Sequence, residues 1–123
     1  MTTFVLCVGL SACVSRDLSA NDRNAAQCVV MVLQKTAGVS KVEMSASWLN
    51  GAYHPVIRYI YTPPSGEAVQ RIGDVLEQRD ETGRWQFAYS EDRSATQLPT
   101  DFNDRLKATC GMPYVIGLRD APL

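Results

Sequence analysis

The sequence lacks several features that would point to a particular partner. Its formal net charge is only -1, from 12 basic and 13 acidic residues, and no block of like charges occurs along the chain. A strong basic field is what draws a protein to nucleic acid, so nucleic acid is not an expected partner. No apolar run reaches the roughly 20 residues that a membrane-spanning helix needs. Repeats and low-complexity segments are absent as well, and 123 residues predict a single domain.

Groups that perform catalysis or hold metals are also scarce. His54 is the only histidine, and it stands in a predicted turn, where a hydrogen-bonded or solvent-exposed role is expected. The cysteines lack the C-x-x-C spacing of a metal site, and no glycine-rich phosphate loop is present. Carboxylate pairs at Glu91-Asp92 and Asp101-Asp104 lie near a turn and a helix start, where solvation and capping explain them. The sequence therefore predicts no enzyme, no cofactor and no metal.

The N-terminal segment carries the most specific pattern in the chain. Residues 1–12 contain no charge, and the run Phe4-Val5-Leu6-Cys7-Val8-Gly9-Leu10 has about the length of the apolar region of a signal peptide. The run leads into Leu10-Ser11-Ala12-Cys13, which resembles the lipobox of bacterial lipoproteins. The resemblance implies that the signal is cleaved between Ala12 and Cys13 and that Cys13 is acylated, for example with palmitate.

By that resemblance, residues 1–12 are a signal peptide, residues 13–18 are a lipidated cysteine with a short tether, and residues 19–123 are a single periplasmic domain. Aspartate after the cysteine commonly retains such proteins at the inner membrane, so Val14 implies the outer membrane. Two or three acyl chains would give a stable anchor, which a single chain does not. The alternative is a buried N-terminal strand or helix that happens to end in cysteine.

The cysteine count agrees with an envelope location. If Cys7 leaves with the signal and Cys13 carries lipid, then Cys28 and Cys110 remain. An even pair in an oxidising compartment predicts one disulfide. The alternative is a metal site or a reactive thiol.

The first half of the domain is expected to hold a helix and a hairpin. Ser19 followed three places later by Asp22 has the capping-box form, so a helix should begin here and run to about residue 37 before Gly38. Its middle is apolar on nearly every side, which is typical of a buried helix. Strands are predicted at residues 39–49 and 56–62, joined at Asn50-Gly51 by a loop somewhat longer than two residues.

The second half contains one ambiguous segment. Residues 67–80 fit helical spacing, but the turns on both sides favour a strand. A further strand is predicted at residues 84–90. With it, the sheet becomes a meander of four antiparallel strands joined by short connections. Thr100 is predicted to cap a second helix that ends at Gly111 with Cys110 pointing inward. The expected fold is an α+β, two-layer α-β-β-β-β-α domain, with two helices linked by the disulfide and a cystatin-like wrapping as one arrangement.

Aromatic side chains on the predicted strands form the candidate binding surface. Alternation along a strand places several of these rings on one face. Tryptophan, tyrosine and arginine dominate interface energies, so rings with Arg58, Arg71 or Arg84 near them would suit a partner. The alternative is that the rings form the core face beneath the helices. The residues are Trp48, Tyr59, Tyr61, Trp85, Phe87 and Tyr89.

Together these patterns predict a non-catalytic lipoprotein of the outer membrane that faces the periplasm and contacts an envelope protein. One alternative is a lipid-anchored inhibitor of an envelope hydrolase, or an exclusion factor of phage or plasmid origin, acting through loops at residues 50–55 and 63–67. Another is a small-ligand carrier, which would need a cavity between helix and sheet lined by the aromatic residues.

Overall fold

The computed structural model describes residues 18–49, 51–92 and 97–117. These residues form two helices and five strands. They are α1 (Ala20–Gln34), β1 (Val39–Leu49), β2 (Ala52–Tyr61), β3 (Val69–Arg79), β4 (Trp85–Glu91), α2 (Phe102–Cys110) and β5 (Tyr114–Ile116). The strands form one sheet in the order β1-β2-β3-β4-β5.

The α+β class is confirmed, and the sheet differs from the prediction in one strand. The first four strands form the expected antiparallel meander, but β5 adds to β4 in parallel, so the sheet has five strands and is mixed. Tyr89 donates its backbone N–H to the carbonyl of Pro113 at 3.0 Å, and Gly117 donates to the carbonyl of Glu91 at 2.7 Å. With only three residues, β5 is too short to show an alternating pattern in the sequence.

Helix α1 begins where its cap predicts and ends earlier than expected. The Ser19 Oγ accepts a hydrogen bond from the backbone N–H of Asp22 at 3.0 Å. The helix ends at Gln34 rather than near residue 37, because the next N–H groups form turn-type bonds, from Thr36 to Leu33 at 3.0 Å and from Val39 to Thr36 at 3.2 Å. These turns bring the chain directly into β1.

The β1–β2 connection is tighter than predicted. Leu49 pairs directly with Ala52, so only residues 50–51 join the strands, and Gly51 has the positive φ of 86° that such a turn favours. Tyr53-His54-Pro55, expected in a longer loop, instead belongs to β2. Proline is tolerated there because β2 pairs with β3 only from Val56 onward.

Two further expectations concern β3 and α2. Residues 67–80 contain a strand, Val69–Arg79, as the favoured interpretation predicted. The predicted Thr100 cap is wrong, because Asp101 occupies the N-cap position and makes no side-chain capping bond. Backbone bonds begin the helix instead, from the Phe102 N–H to the Pro99 carbonyl at 2.9 Å and from the Arg105 N–H to the Asp101 carbonyl at 3.0 Å.

Both helices pack on the same face of the sheet and are joined there by a disulfide. Cys28 of α1 is bonded to Cys110 of α2, with their Cα atoms 5.7 Å apart, which confirms the predicted pair. The core lies between the two layers and is closely filled with apolar side chains. Its members include Val29, Leu33, Met44, Ile57, Tyr59, Val75, Tyr89, Phe102 and Leu106.

The sheet divides into two arms at one end. Strands β2 and β3 stop pairing beyond Val56 and Asp74, while each hairpin continues by itself. We call residues 46–55 the first arm and residues 75–88 the second arm. Because the strands of a meander alternate in direction, both arm tips lie at the same end of the sheet, which we call the hairpin end.

Candidate functional site

A charged pair is buried between the sheet and the helices. Arg71 of β3 and Glu91 of β4 both lie on the helix-facing side of the sheet, with residue exposures of 4% and 3%. The Arg71 Nε donates to Glu91 Oε1 at 2.9 Å, and Nη2 donates to the same oxygen. Burial of a charge is costly unless it is paired and hydrogen-bonded, so this pair depends on its geometry.

Three tyrosine hydroxyls complete the bonding of the Glu91 carboxylate. Tyr89 donates to Oε2 at 2.7 Å, Tyr59 donates to the same oxygen, and Tyr114 donates to Oε1 at 3.1 Å. The Arg71 Nη2 also donates to the Tyr114 hydroxyl at 3.3 Å. We call Tyr59, Arg71, Tyr89, Glu91 and Tyr114 the tyrosine cluster.

Strand register brings the tyrosine cluster together. Tyr59 pairs with Arg71 across β2 and β3, and Tyr89 and Glu91 are two places apart on β4, so their side chains share a face. Tyr114 arrives beside Tyr89 through the parallel pairing of β5, and their rings stack at 5.9 Å between centroids. Residues from four strands thus converge on one carboxylate.

Burial and charge keep the three tyrosines and Arg71 of the tyrosine cluster in one protonation state at neutral pH. Burial raises the pKa of Tyr59, Tyr89 and Tyr114, and the Glu91 carboxylate raises it further. Burial lowers the pKa of the Arg71 guanidinium, but the charge and hydrogen bonds of Glu91 outweigh it and raise that pKa above its ordinary value. The hydroxyls therefore remain hydrogen-bond donors, and Arg71 keeps its charge.

Gly73 leaves room for the ring of Tyr89. A Cβ at this position would lie 2.2 Å from the Tyr89 hydroxyl oxygen and 2.4 Å from two ring carbons. We expect Gly73→Ala to lower the free energy of unfolding by about 1–3 kcal/mol, the usual range for overpacking. Urea denaturation followed by circular dichroism measures the change.

The matched control for this substitution is Gln70→Ala, on the same strand but exposed. Surface substitutions change stability by about 0.5 kcal/mol or less. If Gly73→Ala unfolds at the same urea concentration as the control, Tyr89 can move aside without loss and its position in the cluster is not fixed.

A small pocket adjoins the tyrosine cluster at Tyr114. Its volume is about 300 Å³, at the lower end for small-molecule sites. Phe102 and Asn103 of α2 line it together with Tyr114 and Ile116 of β5. Asn103 Oδ1 accepts the backbone N–H of Tyr114 at 3.1 Å, so its side chain is engaged in holding β5 in place.

His54 lies in a strand rather than in the predicted turn. Its Nε2 is 2.7 Å from Asp74 Oδ1, and the two residues are 8% and 6% exposed. They occupy the sheet face opposite to the tyrosine cluster, at the point where the two arms separate. The pair links β2 to β3 where their backbone pairing ends.

The structure separates the six aromatic residues of the predicted binding surface. Tyr59, Tyr61 and Tyr89 are 3% exposed or less, and Phe87 packs partly buried against them, so these four belong to the core face. Trp48 and Trp85 are each 61% exposed. Trp48 lies in the first arm and Trp85 in the second arm, where β2 and β3 no longer pair with each other, and both rings are left uncovered.

The arm tips expose aromatic rings on the same sheet face. In the first arm, Trp48 pairs with Tyr53, and their rings meet edge to face with centroids 5.1 Å apart. In the second arm, the Arg79 guanidinium lies 4.6 Å from the centre of the Trp85 ring. These contacts hold the rings in defined positions while leaving them accessible.

Sequence reasoning missed the central residue of the tyrosine cluster. Glu91 was expected to be solvated near a turn, but it is buried at the end of β4. Its signal was its position two places after Tyr89, which puts both on one strand face. Arg71 was expected near exposed rings and instead lies 5.9 Å and 5.7 Å from the centres of the buried Tyr59 and Tyr61 rings.

Several expectations lie outside the described residues, among them the cleavage between Ala12 and Cys13 and the acylation of Cys13. Comparison with protein-family models, curated proteins and solved structures finds no match to this chain. Within residues 18–49, 51–92 and 97–117, no helix is long and apolar enough to cross a membrane. No group of three or more metal-ligating side chains occurs in that part of the chain either.

Proposed function

We propose that the protein is a small lipoprotein of a bacterial outer membrane, which faces the periplasm and acts by binding an envelope protein rather than by catalysis. The observation that carries the proposal is the disulfide between Cys28 and Cys110. Disulfides persist in oxidising compartments such as the periplasm and are rare in the cytosol. An envelope location is also what Leu10-Ser11-Ala12-Cys13 implies by its resemblance to a lipobox.

The described ionisable clusters support a binding role. In the tyrosine cluster, every hydroxyl is held by Glu91 and remains protonated at neutral pH, so none serves as a base or nucleophile there. His54 is buried against Asp74, which leaves little open surface on its ring. Exposed apolar side chains available to a partner occur both on the arms and elsewhere on the domain: Trp48, Tyr53 and Trp85 on the arms, Met31 on α1, Ile72 on β3 and Ile116 on β5.

The carrier alternative receives less support than the inhibitor alternative. The space between α1 and the sheet is filled by the core, and Tyr59, Tyr61 and Tyr89 pack there instead of lining a cavity. An inhibitor is favoured by the exposed ring of Tyr53 on the first arm, within one of the expected inhibitory loops. An inhibitor would remain active as a soluble domain that lacks Cys13, whereas an envelope scaffold would lose its function on Cys13→Ser.

The proposal predicts the mass of the protein made in a Gram-negative host. We expect the wild-type chain to lack residues 1–12, to carry acyl groups, and to gain two hydrogens on reduction. Cys13→Ser should carry no acyl group and retain its first 12 residues, because the acylated cysteine defines the cleavage site. Intact-mass spectrometry with and without reductant measures all three properties.

The matched control is Cys7→Ser, which alters a cysteine of the expected signal. This variant should give the same mature mass as the wild type, because residue 7 is removed with the signal. A wild-type chain that is neither cleaved nor acylated would overturn the proposed anchor, and with it the outer-membrane location.

A further inference from the structure

We infer that the hairpin end meets the phospholipid surface, with Trp48, Tyr53 and Trp85 in the headgroup region of the leaflet that holds the anchor. This inference rests on the proposed lipid anchor at Cys13. It adds an orientation of the domain and a second contact with the membrane. The partner of these rings is therefore lipid, which leaves the other surfaces of the domain for an envelope protein.

The described chain begins at the hairpin end. Asp22, in the first turn of α1, lines the same shallow pocket of about 240 Å³ as Leu49, Ala52 and Tyr53 near the tip of the first arm. The opposite end of α1 leads through Gly38 into the start of β1, at the far end of the sheet. Leu18 immediately precedes the helix cap, so the chain enters the domain beside the arms.

The distance to the anchor is short. Cys13 stands five positions before Leu18, and five extended residues span at most about 18 Å. An acylated Cys13 would thus hold the hairpin end close to the membrane surface. The far end of the sheet lies a further strand length away, about 36 Å for β1.

The exposed rings have the chemistry of a membrane interface. Tryptophan and tyrosine are enriched at the headgroup level because each combines an apolar ring with a polar group. Trp48, Tyr53 and Trp85 are 61%, 42% and 61% exposed and lie on one face of the two arms. Each arm therefore offers at least one aromatic ring to the same surface.

The charges at the tip of the second arm favour a lipid surface without net charge. Arg79 and Arg84 stand beside Asp80 and Glu81, so the formal charges at this tip cancel. Strong attraction to anionic lipid requires an excess of Lys or Arg, which the tip lacks. We therefore assign the contact to phospholipids without net charge, where aromatic insertion rather than electrostatic attraction provides the binding.

Tryptophan fluorescence tests the orientation directly, because Trp48 and Trp85 are the only tryptophans in the chain. The lipidated protein is reconstituted into phosphatidylcholine and phosphatidylethanolamine vesicles, with or without bromine on the acyl chains. Bromine quenches tryptophans that approach the lipid. We expect brominated lipid to lower the emission of both single-tryptophan variants, Trp48→Phe and Trp85→Phe.

The control places a tryptophan away from the hairpin end. Met31 lies in the second half of α1 and is 48% exposed, so Met31→Trp in a chain that also carries Trp48→Phe and Trp85→Phe reports on another exposed surface. Its emission should not change with brominated lipid. Equal quenching at this control position would overturn the proposed orientation.

The mass of the same preparation separates the two proposals. If Cys13 carries lipid but Trp48 and Trp85 are not quenched, the anchor stands, the orientation is wrong, and the hairpin end is left to a protein partner. If the chain carries no lipid, both the anchor and the orientation are overturned. Quenching of both native tryptophans in the lipidated protein supports both.

Discussion

Arg71→Met is expected to lower the free energy of unfolding by about 3–5 kcal/mol, because it leaves the buried Glu91 carboxylate without its opposite charge. Methionine retains much of the length and apolar volume of the arginine side chain, so the loss of stability measures mainly the contribution of the Arg71–Glu91 ion pair. Urea denaturation followed by circular dichroism measures it. The tyrosine hydroxyls continue to donate to Glu91 and limit the loss, but none of them carries a positive charge.

Arg58→Met is the matched control for this prediction. Arg58 lies on the neighbouring strand but is exposed, and its guanidinium donates to the Ser45 Oγ at 3.1 Å. Its replacement should change stability by about 0.5 kcal/mol or less. If both variants unfold at the same urea concentration, Glu91 is stabilised by the tyrosines alone, and the buried ion pair contributes nothing measurable.

A double variant separates the pair from its surroundings. Arg71→Met combined with Glu91→Gln removes both charges, so no uncompensated charge remains buried. We expect the double variant to lose less stability than the sum of the two single losses, since residues in direct contact are not additive. Additive losses would contradict a direct interaction between the two side chains.

Replacing both Cys28 and Cys110 with alanine is expected to cost about 4–4.5 kcal/mol. The two cysteines are 82 residues apart, and the chain-entropy model gives a loss of this size for so long a loop. Both side chains are only partly buried, so little packing is lost with them. Comparing urea denaturation of the oxidised wild type with that of the variant measures the cost.

The variant without Cys28 and Cys110 should lose protection from hydrogen exchange in some elements before others. Helix α2 is held to the rest of the fold by the disulfide and by Phe102 and Leu106, whereas β2 and β3 are bonded to neighbours on both sides. Amide hydrogen exchange should therefore accelerate in α2 before it accelerates in the central strands. Unchanged stability, or an equal loss of protection everywhere, would contradict the idea that the disulfide secures α2.

Local patterns were enough to predict most of the fold. The Ser19 cap depends on residues three places apart, and the meander depends on strands joined by short turns, so both can be recognised within a short window of sequence. The disulfide followed from counting cysteines. Strand β5 could not be recognised in this way, because three residues are too few to show a periodic pattern. Its parallel partner, β4, is also separated from it in sequence by helix α2.

The candidate binding surface was harder to predict for a geometric reason. Alternation placed Trp85 and Tyr89 on one face, as observed, but it does not tell how far a helix extends along that face. Tyr89 is completely buried because Phe102 of α2 and Tyr114 of β5 pack against its ring, whereas Trp85, in the second arm, is 61% exposed. The Glu91 site required the register of four strands at once, which a single sequence does not reveal.

The long separation between Cys28 and Cys110 also has a consequence for the order of folding. Adjacent strands of the meander are close in sequence, so their pairing closes short loops, whereas the contact of α2 with α1 closes a loop with a sequence separation of 82 residues. Contacts that close long loops form slowly. The meander can thus assemble around Arg71 and Glu91 early, and the packing of α2 against α1 follows. The time at which the two thiols become one disulfide therefore marks the completion of the fold.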